Sequence, residues 1–273
     1  MKNILVATDF SPKAQLATEV GILLAAQFKA DIHFLHVFHT PVDWTKLPKE
    51  HEGRFKEVKT KLAAAKANLA SSVSKTKKMG VDAAYFVSYD HENMNVLQHI
   101  RSHEHDLVVI GAHGKLDITD LLFGSVAVDI IEKSPVPVVL VDEADTFKQV
   151  QNILIAVEPS MDVLQFVSKV SSLFPSAEIG LKAFSVQTET EGLNDKLLAG
   201  LNEMIRKYTG SNVSYEVVSA ESVEQGIIAK ANSGEGDLLV IGSNRFNSVA
   251  DYLRTHVFPD IPERVHVPVI ILR

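Results

Sequence analysis

Asn3-Ile4-Leu5-Val6-Ala7 lies at the start of the sequence, and Asn152-Ile153-Leu154-Ile155-Ala156 repeats it 149 positions later, with a serine four residues beyond each copy, Ser11 and Ser160. A second pair of matches lies further on: Asp106-Leu107-Val108-Val109-Ile110-Gly111 answers Asp237-Leu238-Leu239-Val240-Ile241-Gly242, now 131 positions apart, and Pro137 aligns with Pro268. The second copy is therefore shorter in its middle, and the extra residues of the first fall around His39 to Lys59. Self-similarity on this scale marks a duplicated unit. A length of 273 residues suits two cores, and the polar run from Asp142 to Gln149 separates them, giving expected domains over 1–145 and 150–273.

Within the first copy, short runs rich in β-branched residues lack polar alternation, which is the pattern of strands covered on both faces. They predict strands at Asn3 to Ala7, Ile32 to Val37, Ala83 to Val87, Leu107 to Ile110 and Val136 to Val141. Ser11-Pro12 is a helix start, because the serine caps free amides and proline in the first turn sacrifices no hydrogen bond. That helix runs to Phe28, with Leu16, Val20, Leu23, Leu24 and Phe28 as its expected apolar face. Further helices are predicted over Glu52 to Lys78, Asn93 to His103 and from about Gly124. Strands alternating with helices form right-handed βαβ units, so each copy is expected to be a doubly wound five-stranded parallel sheet, a Rossmann-like α/β domain. Such sheets bind ligands outside the carboxyl ends of their strands.

At that end of the fourth strand stand Gly111-Ala112-His113-Gly114, then nine residues, then Gly124-Ser125-Val126. Glycines there let backbone N–H groups approach a phosphate, and a helix start with a serine adds amides, a hydroxyl and the positive dipole end. The bland alternative is a tight turn followed by a helix. The spacing fits neither a P-loop nor G-x-G-x-x-G. It resembles the nucleotide motif of the universal stress proteins, as do Ala7-Thr8-Asp9-Phe10-Ser11 and the proline-containing last strand Val136-Pro137-Val138-Val139. The resemblance spans both copies, although the motif is intact only in the first.

The resemblance implies tandem adenine nucleotide alpha hydrolase-like domains and binding of ATP, with or without Mg2+, or of a related adenine nucleotide. Asp9 and Val37 would line the adenine and ribose, Gly111, His113, Gly114, Gly124, Ser125 and Val126 would hold ribose and phosphates, and Ala7, Thr8 and Ile110 would also belong to the nucleotide site. Asp9 could equally stabilise a helix start, and Val37 could be core. Ala127 stands where the family often has a second hydroxyl residue. In the second copy Arg245, Thr255 and His256 replace Gly114, Gly124 and Ser125, and Glu158 replaces Asp9, so its site is expected to be lost. Paired last strands, edge to edge, would make the two copies an intramolecular pseudo-dimer, with homodimerisation of the tandem unit as a further expectation.

Other chemistry is weakly signalled. There is no cysteine and the net charge is −7, which argues against thiol chemistry, Cys-based zinc sites and broad nucleic-acid or anionic-membrane binding. No apolar run approaches the length of a membrane span, and the first residues lack a signal-peptide pattern, so a cytoplasmic protein is expected. No nucleophile elbow occurs and no catalytic residue is expected; an adenylating ligase would need a Ser-Gly-Gly-rich loop after the first strand, and a slow ATPase is a remaining alternative. His99, His103 and His105 could suit zinc by spacing, yet without a further ligand they read as ordinary surface histidines, and His33, His36 and His39 are not expected to converge. The lysine-rich helix to Lys78 reads as a solvated outer helix. The competing function is an interaction protein with an unknown protein partner, working through the loop Thr40 to Gly53 that carries Trp44, the only tryptophan.

Overall fold

The computed structural model describes residues 1–90, 95–112, 125–142, 147–158, 163–176, 178–188, 213–242 and 261–272. The first half contains β1 (Asn3–Ala7), α1 (Pro12–Phe28), β2 (Asp31–His39), α2 (Lys56–Lys78), β3 (Ala83–Asp90), α3 (Asn95–Ser102), β4 (Leu107–Gly111), α4 (Ser125–Lys133) and β5 (Val138–Val141). The second contains β6 (Asn152–Ala156), α5 (Val163–Leu173), β7 (Gly180–Gln187), β8 (Val213–Ser219), α6 (Val223–Ala231), β9 (Leu238–Gly242), α7 (Ile261–Arg264) and β10 (Val269–Leu272). The five predicted strands are present. β2 and β3 run further than expected, and β5 starts only after Pro137, which has no amide to donate to a ladder.

Among the described residues the ten strands form one sheet in the order β3-β2-β1-β4-β5-β10-β9-β6-β7-β8. Each half thus shows the same internal order, with the winding reversing beside its first strand. Every neighbouring pair is parallel except β5 with β10, which meet antiparallel through Leu140 and Val269, Val139 and Ile270, and Val138 and Ile271. This is the edge-to-edge meeting of last strands expected from the sequence. Both strands are fully buried, so the junction covers two edges that would otherwise offer unpaired amides.

Helices cover both faces. On one, α1, α2 and α5 pack through Val20, Leu24, Leu69, Phe166 and Val170 onto Val6, Val109, Ile155 and Val240. On the other, α3, α4, α6 and α7 pack through Leu97, Ile100, Ile131, Ile227 and Ile261 onto Leu5, Val108, Leu154 and Leu239. Each core continues across the β5/β10 junction. Phe28 at the end of α1 meets Phe174 just beyond α5 at 5.2 Å, and Gln27 exchanges two side-chain hydrogen bonds with the backbone of Val150, docking the connection between the halves onto α1.

Two helix expectations need correction. The buried face of α1 centres on Ala14, Ala17, Val20, Gly21 and Leu24, whereas Leu16, Leu23 and Phe28 are only half-buried. Small residues prevail because the helix lies very close to the sheet: a Cβ on Gly21 would fall 2.6 Å from Val6 Cγ2. The helix expected from Glu52 is instead a 3-10 turn over Glu52–Arg54, a break at Phe55 (φ −116°, ψ 52°), and α2 from Lys56. The break aims the Phe55 ring at Trp44, 6.1 Å away. From there α2 is a solvated outer helix as expected, burying Leu62, Ala65, Leu69 and Thr76 beneath exposed lysines.

Candidate functional site

The winding reverses between β1 and β4, whose last registered partners are Val6 and Val109. One residue further along each strand stand Ala7 and Ile110, so the carboxyl ends of these strands flank the crevice where open α/β sheets receive ligands. Ala7 and Val37 are both half-buried against the core under α3 and α4, and Ile110 belongs to that core. Thr8 is half-buried and Asp9 exposed. Gly111 ends β4 and is buried. Ser125 and Val126 are the first two residues of α4, while His113, Gly114 and Gly124 lie outside the described residues. The strands and α4 thus bring Ala7, Thr8, Asp9, Ile110 and Gly111 to one edge of the sheet.

Local hydrogen bonding holds the turn after β1. Thr8 N–H donates to the Leu35 carbonyl at 2.9 Å, Phe10 N–H to Thr8 Oγ1 at 3.1 Å and Ser11 N–H to Asp9 Oδ1 at 2.9 Å. Ser11 Oγ in turn accepts from Ala14 N–H and caps α1. The Asp9 carboxylate therefore turns back on the helix start, the arrangement that its alternative reading anticipated.

Gly111 is required for a reason that sequence reasoning missed. A Cβ there would lie 2.7 Å from the Lys13 carbonyl carbon, 2.8 Å from Ala14 N and 2.9 Å from Lys13 O. The first turn of α1 rests on the strand, backbone against backbone. Lys13 reinforces this approach, its Nζ pairing with buried Asp142 just past β5 at 2.6 Å and donating to the Asp142 carbonyl at 3.0 Å. The matching position in the second half is built otherwise: a Cβ on Gly242 would lie 2.1 Å from Phe166 Cζ. Phe166 occupies the place of Ala17 under the 149-residue displacement, which is the sequence signal that would have found it. Val157 and Glu158 stand for Thr8 and Asp9, and Val157 is buried.

Phe10 was also missed. It adopts φ +66°, a left-handed conformation that is costly for a bulky residue. That conformation brings its ring to 4.6 Å from His36, whose Nδ1 is 2.8 Å from the Thr8 carbonyl. Phe10 also joins a small cluster with Phe38, Leu62, Trp44 and Val58, so the Thr40 to Gly53 segment packs beside the turn that carries Asp9.

The surface reading holds for His103, which is exposed, and fails for its two neighbours. His99 and His105 are buried, and His33 meets them with its Nδ1 3.0 Å from His105 Nε2. This group lies at the amino ends of the strands, opposite the crevice. No group of three or more His, Asp or Glu among the described residues is placed to hold a metal ion. Among the described residues no helix is long and apolar enough to cross a membrane.

The family model "Universal stress protein family" matches residues 1–142. A universal stress protein of Methanocaldococcus jannaschii is 28% identical over 154 residues, covering 51% of this chain and 94% of the relative. Across the full length, the structure of a universal stress protein from Archaeoglobus fulgidus superposes with a TM-score of 0.73 at 20% identity, covering 99% of this chain and 96% of that one. A functionally unknown protein from Pseudomonas aeruginosa has the same fold at a TM-score of 0.62 and 13% identity, covering 100% and 92%.

Proposed function

Because this chain belongs to the universal stress protein family, we propose that it binds ATP, or a related adenine nucleotide, in the first-half crevice and acts as a cytoplasmic sensor or regulator without efficient catalysis. The observation that carries the reading is a coincidence of place. The only intact Gly-x2-Gly-x9-Gly-Ser spacing begins at Gly111, at the carboxyl end of β4, and Ala7 ends the strand across the point of reversal, with Thr8 and Asp9 in the turn that follows.

The described residues suit a nucleotide. Ala7, Thr8 and Val37 are half-buried and Asp9 is exposed, so an apolar shelf adjoins polar groups able to take ribose hydroxyls. The start of α4 at Ser125 offers unpaired backbone amides and the positive dipole end to phosphates. His113, Gly114 and Gly124 would complete the loop, and Mg2+ would add charge neutralisation at the phosphates.

We further propose two units, 1–145 and 150–273, the second a packing partner whose own crevice has lost the motif. Calorimetric titration of ATP with Mg2+ into nucleotide-free full-length protein tests the reading. One binding site, abolished by Gly114→Arg, which copies the second half at this position, is the expected result. Folded wild-type protein that takes up no nucleotide overturns it.

A further inference from the structure

Four imidazoles crowd the base of the first half. His33 projects from β2, His99 from α3, and His103 and His105 from the turn that leads into β4. The His33 and His105 rings stand edge to face with nitrogens 3.0 Å apart, and His99 and His103 stack at 4.0 Å between centroids. Phe86 of β3 touches three of them, at 5.3 Å from His33, 4.7 Å from His99 and 5.2 Å from His103. His99 Nε2 and His105 Nδ1 are buried without a hydrogen-bond partner, a placement tolerable for a bare imidazole lone pair and expensive for an N–H.

We propose that His33, His99, His103 and His105 form a proton-operated latch: with the rings neutral they hold the α3–β4 turn closed, and protonation drives that turn open.

The geometry limits how many protons the closed form accepts. Between His33 Nδ1 and His105 Nε2 a single hydrogen is shared, so charging both rings sets N–H against N–H at 3.0 Å. His103 Nδ1 lies 3.1 Å from the His99 carbonyl oxygen and 3.0 Å from Ser102 Oγ. Two charges on the stacked His99 and His103 rings would repel at van der Waals distance.

The surrounding charges oppose this exclusion only weakly. Asp31 on β2 favours a charged His33 and Asp106 a charged His105, yet burial dominates at both and lowers them. His99 and His105 are pushed down to about 4, by burial first and then by the neighbouring imidazoles. Asp106 is itself engaged, accepting from Lys2 and Asn3 backbone amides near the N-terminal amine. Arg101 and Glu104 are exposed, and α4 beside α3 carries two half-buried acids, Glu132 and Asp129, the latter paired with Lys133. Since His33, His99 and His105 bind protons less readily closed than open, acid favours the open turn. The effect begins as pH falls through the ordinary histidine range near 6.5 and saturates near 4.

The second half carries an internal control. Lys182 pairs with Leu154 as His33 pairs with Leu5, and Glu216 faces Phe184 as Phe86 faces Leu35. The displacement that matches Asp106 with Asp237 matches His99 with Lys230. Here the cluster is ionic: Lys230 pairs with Glu216 and Glu235, the latter at 2.7 Å, and Lys182 donates to the Glu235 carbonyl at 2.9 Å. Burial would lower the Lys230 ammonium, but its bonds to the two glutamates outweigh that and raise it. Glu235 is lowered, chiefly by its bond to Lys230. The raised Lys230 and the lowered Glu235 are both moved away from the range between pH 7.5 and 5.5.

Amide hydrogen exchange on the full-length protein at pH 7.5 and 5.5, corrected for intrinsic rates, tests the latch. Protection over 97–110 should fall on the order of tenfold or more on acidification, while protection over 228–241 changes less than about twofold. Equal changes in the two segments, or none in the first, overturn the proposal. The double variant His33→Gln, His105→Gln keeps a polar pair that cannot titrate and should cut the response of 97–110 by several-fold, leaving the part that His99 carries. A folded variant that retains the full wild-type response also overturns it.

Discussion

At the carboxyl end of β4 the backbone of α1 lies directly on Gly111, whereas at the matching end of β9 the ring of Phe166 lies on Gly242. Both strands end in glycine, and both glycines are read identically from sequence. In the first half, Ala14 and Ala17 let the helix start settle against the strand, with Lys13 bonded to Asp142 to hold it there. In the second, Phe166 at the place of Ala17 puts an aromatic ring between helix and strand and is only 3% exposed. One duplicated fold thus keeps a close backbone approach beside Asp9 and replaces it with ordinary core beside Glu158. A glycine shared by two repeats can seat a helix backbone in one and a side chain in the other.

Removing that ring gives the largest expected effect. Phe166→Ala should cost about 3–5 kcal/mol through lost burial and the cavity left against Gly242, measured by urea unfolding, while Ala17, already small, offers no equivalent loss. The glycines should then separate in a way that breaks the comparison if it fails. Gly111→Ala drives a methyl into the Lys13 backbone and should cost about 1–3 kcal/mol, with no side-chain truncation able to relieve it. Gly242→Ala meets only the far end of a side chain, so adding Phe166→Leu should recover much of its loss. Rescue of both glycine variants by side-chain truncation would mean that the two contacts are alike.

The strands and their order of appearance were legible because parallel strands covered on both faces must be continuously apolar, and Asn3 to Ala7 and its repeat satisfy this without ambiguity. The meeting of last strands was legible from the family resemblance and is realised at Val139 and Ile270. Gly111 was legible as special, but its reason was not: contact with Lys13 spans nearly a hundred residues and depends on how closely α1 sits. The apolar face of α1 was misread for the same cause, since hydrophobic spacing favours Leu23 and Phe28 while close packing favours Gly21 and Ala17. The break at Phe55 follows from a tertiary contact with Trp44. The histidines show the limit most sharply: the spacing of His99, His103 and His105 was visible, but the burial of His99 and His105 depends on His33 and Phe86 arriving from other strands.

Acid should separate the halves at their other end. His99 and His105 are both lowered to about 4 by burial and their imidazole neighbours. Their contribution is therefore present above the ordinary value near 6.5 and is lost as pH falls toward 4. Between pH 7 and 5.5 the loss should be about 1 kcal/mol for each histidine. Replacing Lys230 by Met removes a buried cation from the ionic cluster and should leave that slope unchanged, because Lys230 is raised and Glu235 lowered, both away from this range. A slope that follows the Lys230 substitution would assign the acid response to the wrong half.

The smallest effect sharpens the comparison at the helix starts. Ser11 Oγ accepts the Ala14 amide on α1 at 3.2 Å, and Ser222 Oγ accepts the Gln225 amide on α6 at the same distance. As caps the two are equivalent, so Ser11→Ala and Ser222→Ala should each cost about 1 kcal/mol in stability. Their consequences for ligand binding should differ. Ser11 follows the turn whose Asp9 carboxylate accepts the Ser11 amide, and the first turn of its helix lies on Gly111; loosening that turn disturbs both strands flanking the crevice. Ser222 starts a helix on the opposite face of the other half, away from β1 and β4. Ser11→Ala should therefore weaken adenine-nucleotide binding several-fold in calorimetric titration, with Ser222→Ala indistinguishable from wild type. Equal weakening by both would mean that binding follows global stability, whereas loss confined to Ser11→Ala would tie affinity to the close seating of α1 that the second half has replaced with an aromatic ring.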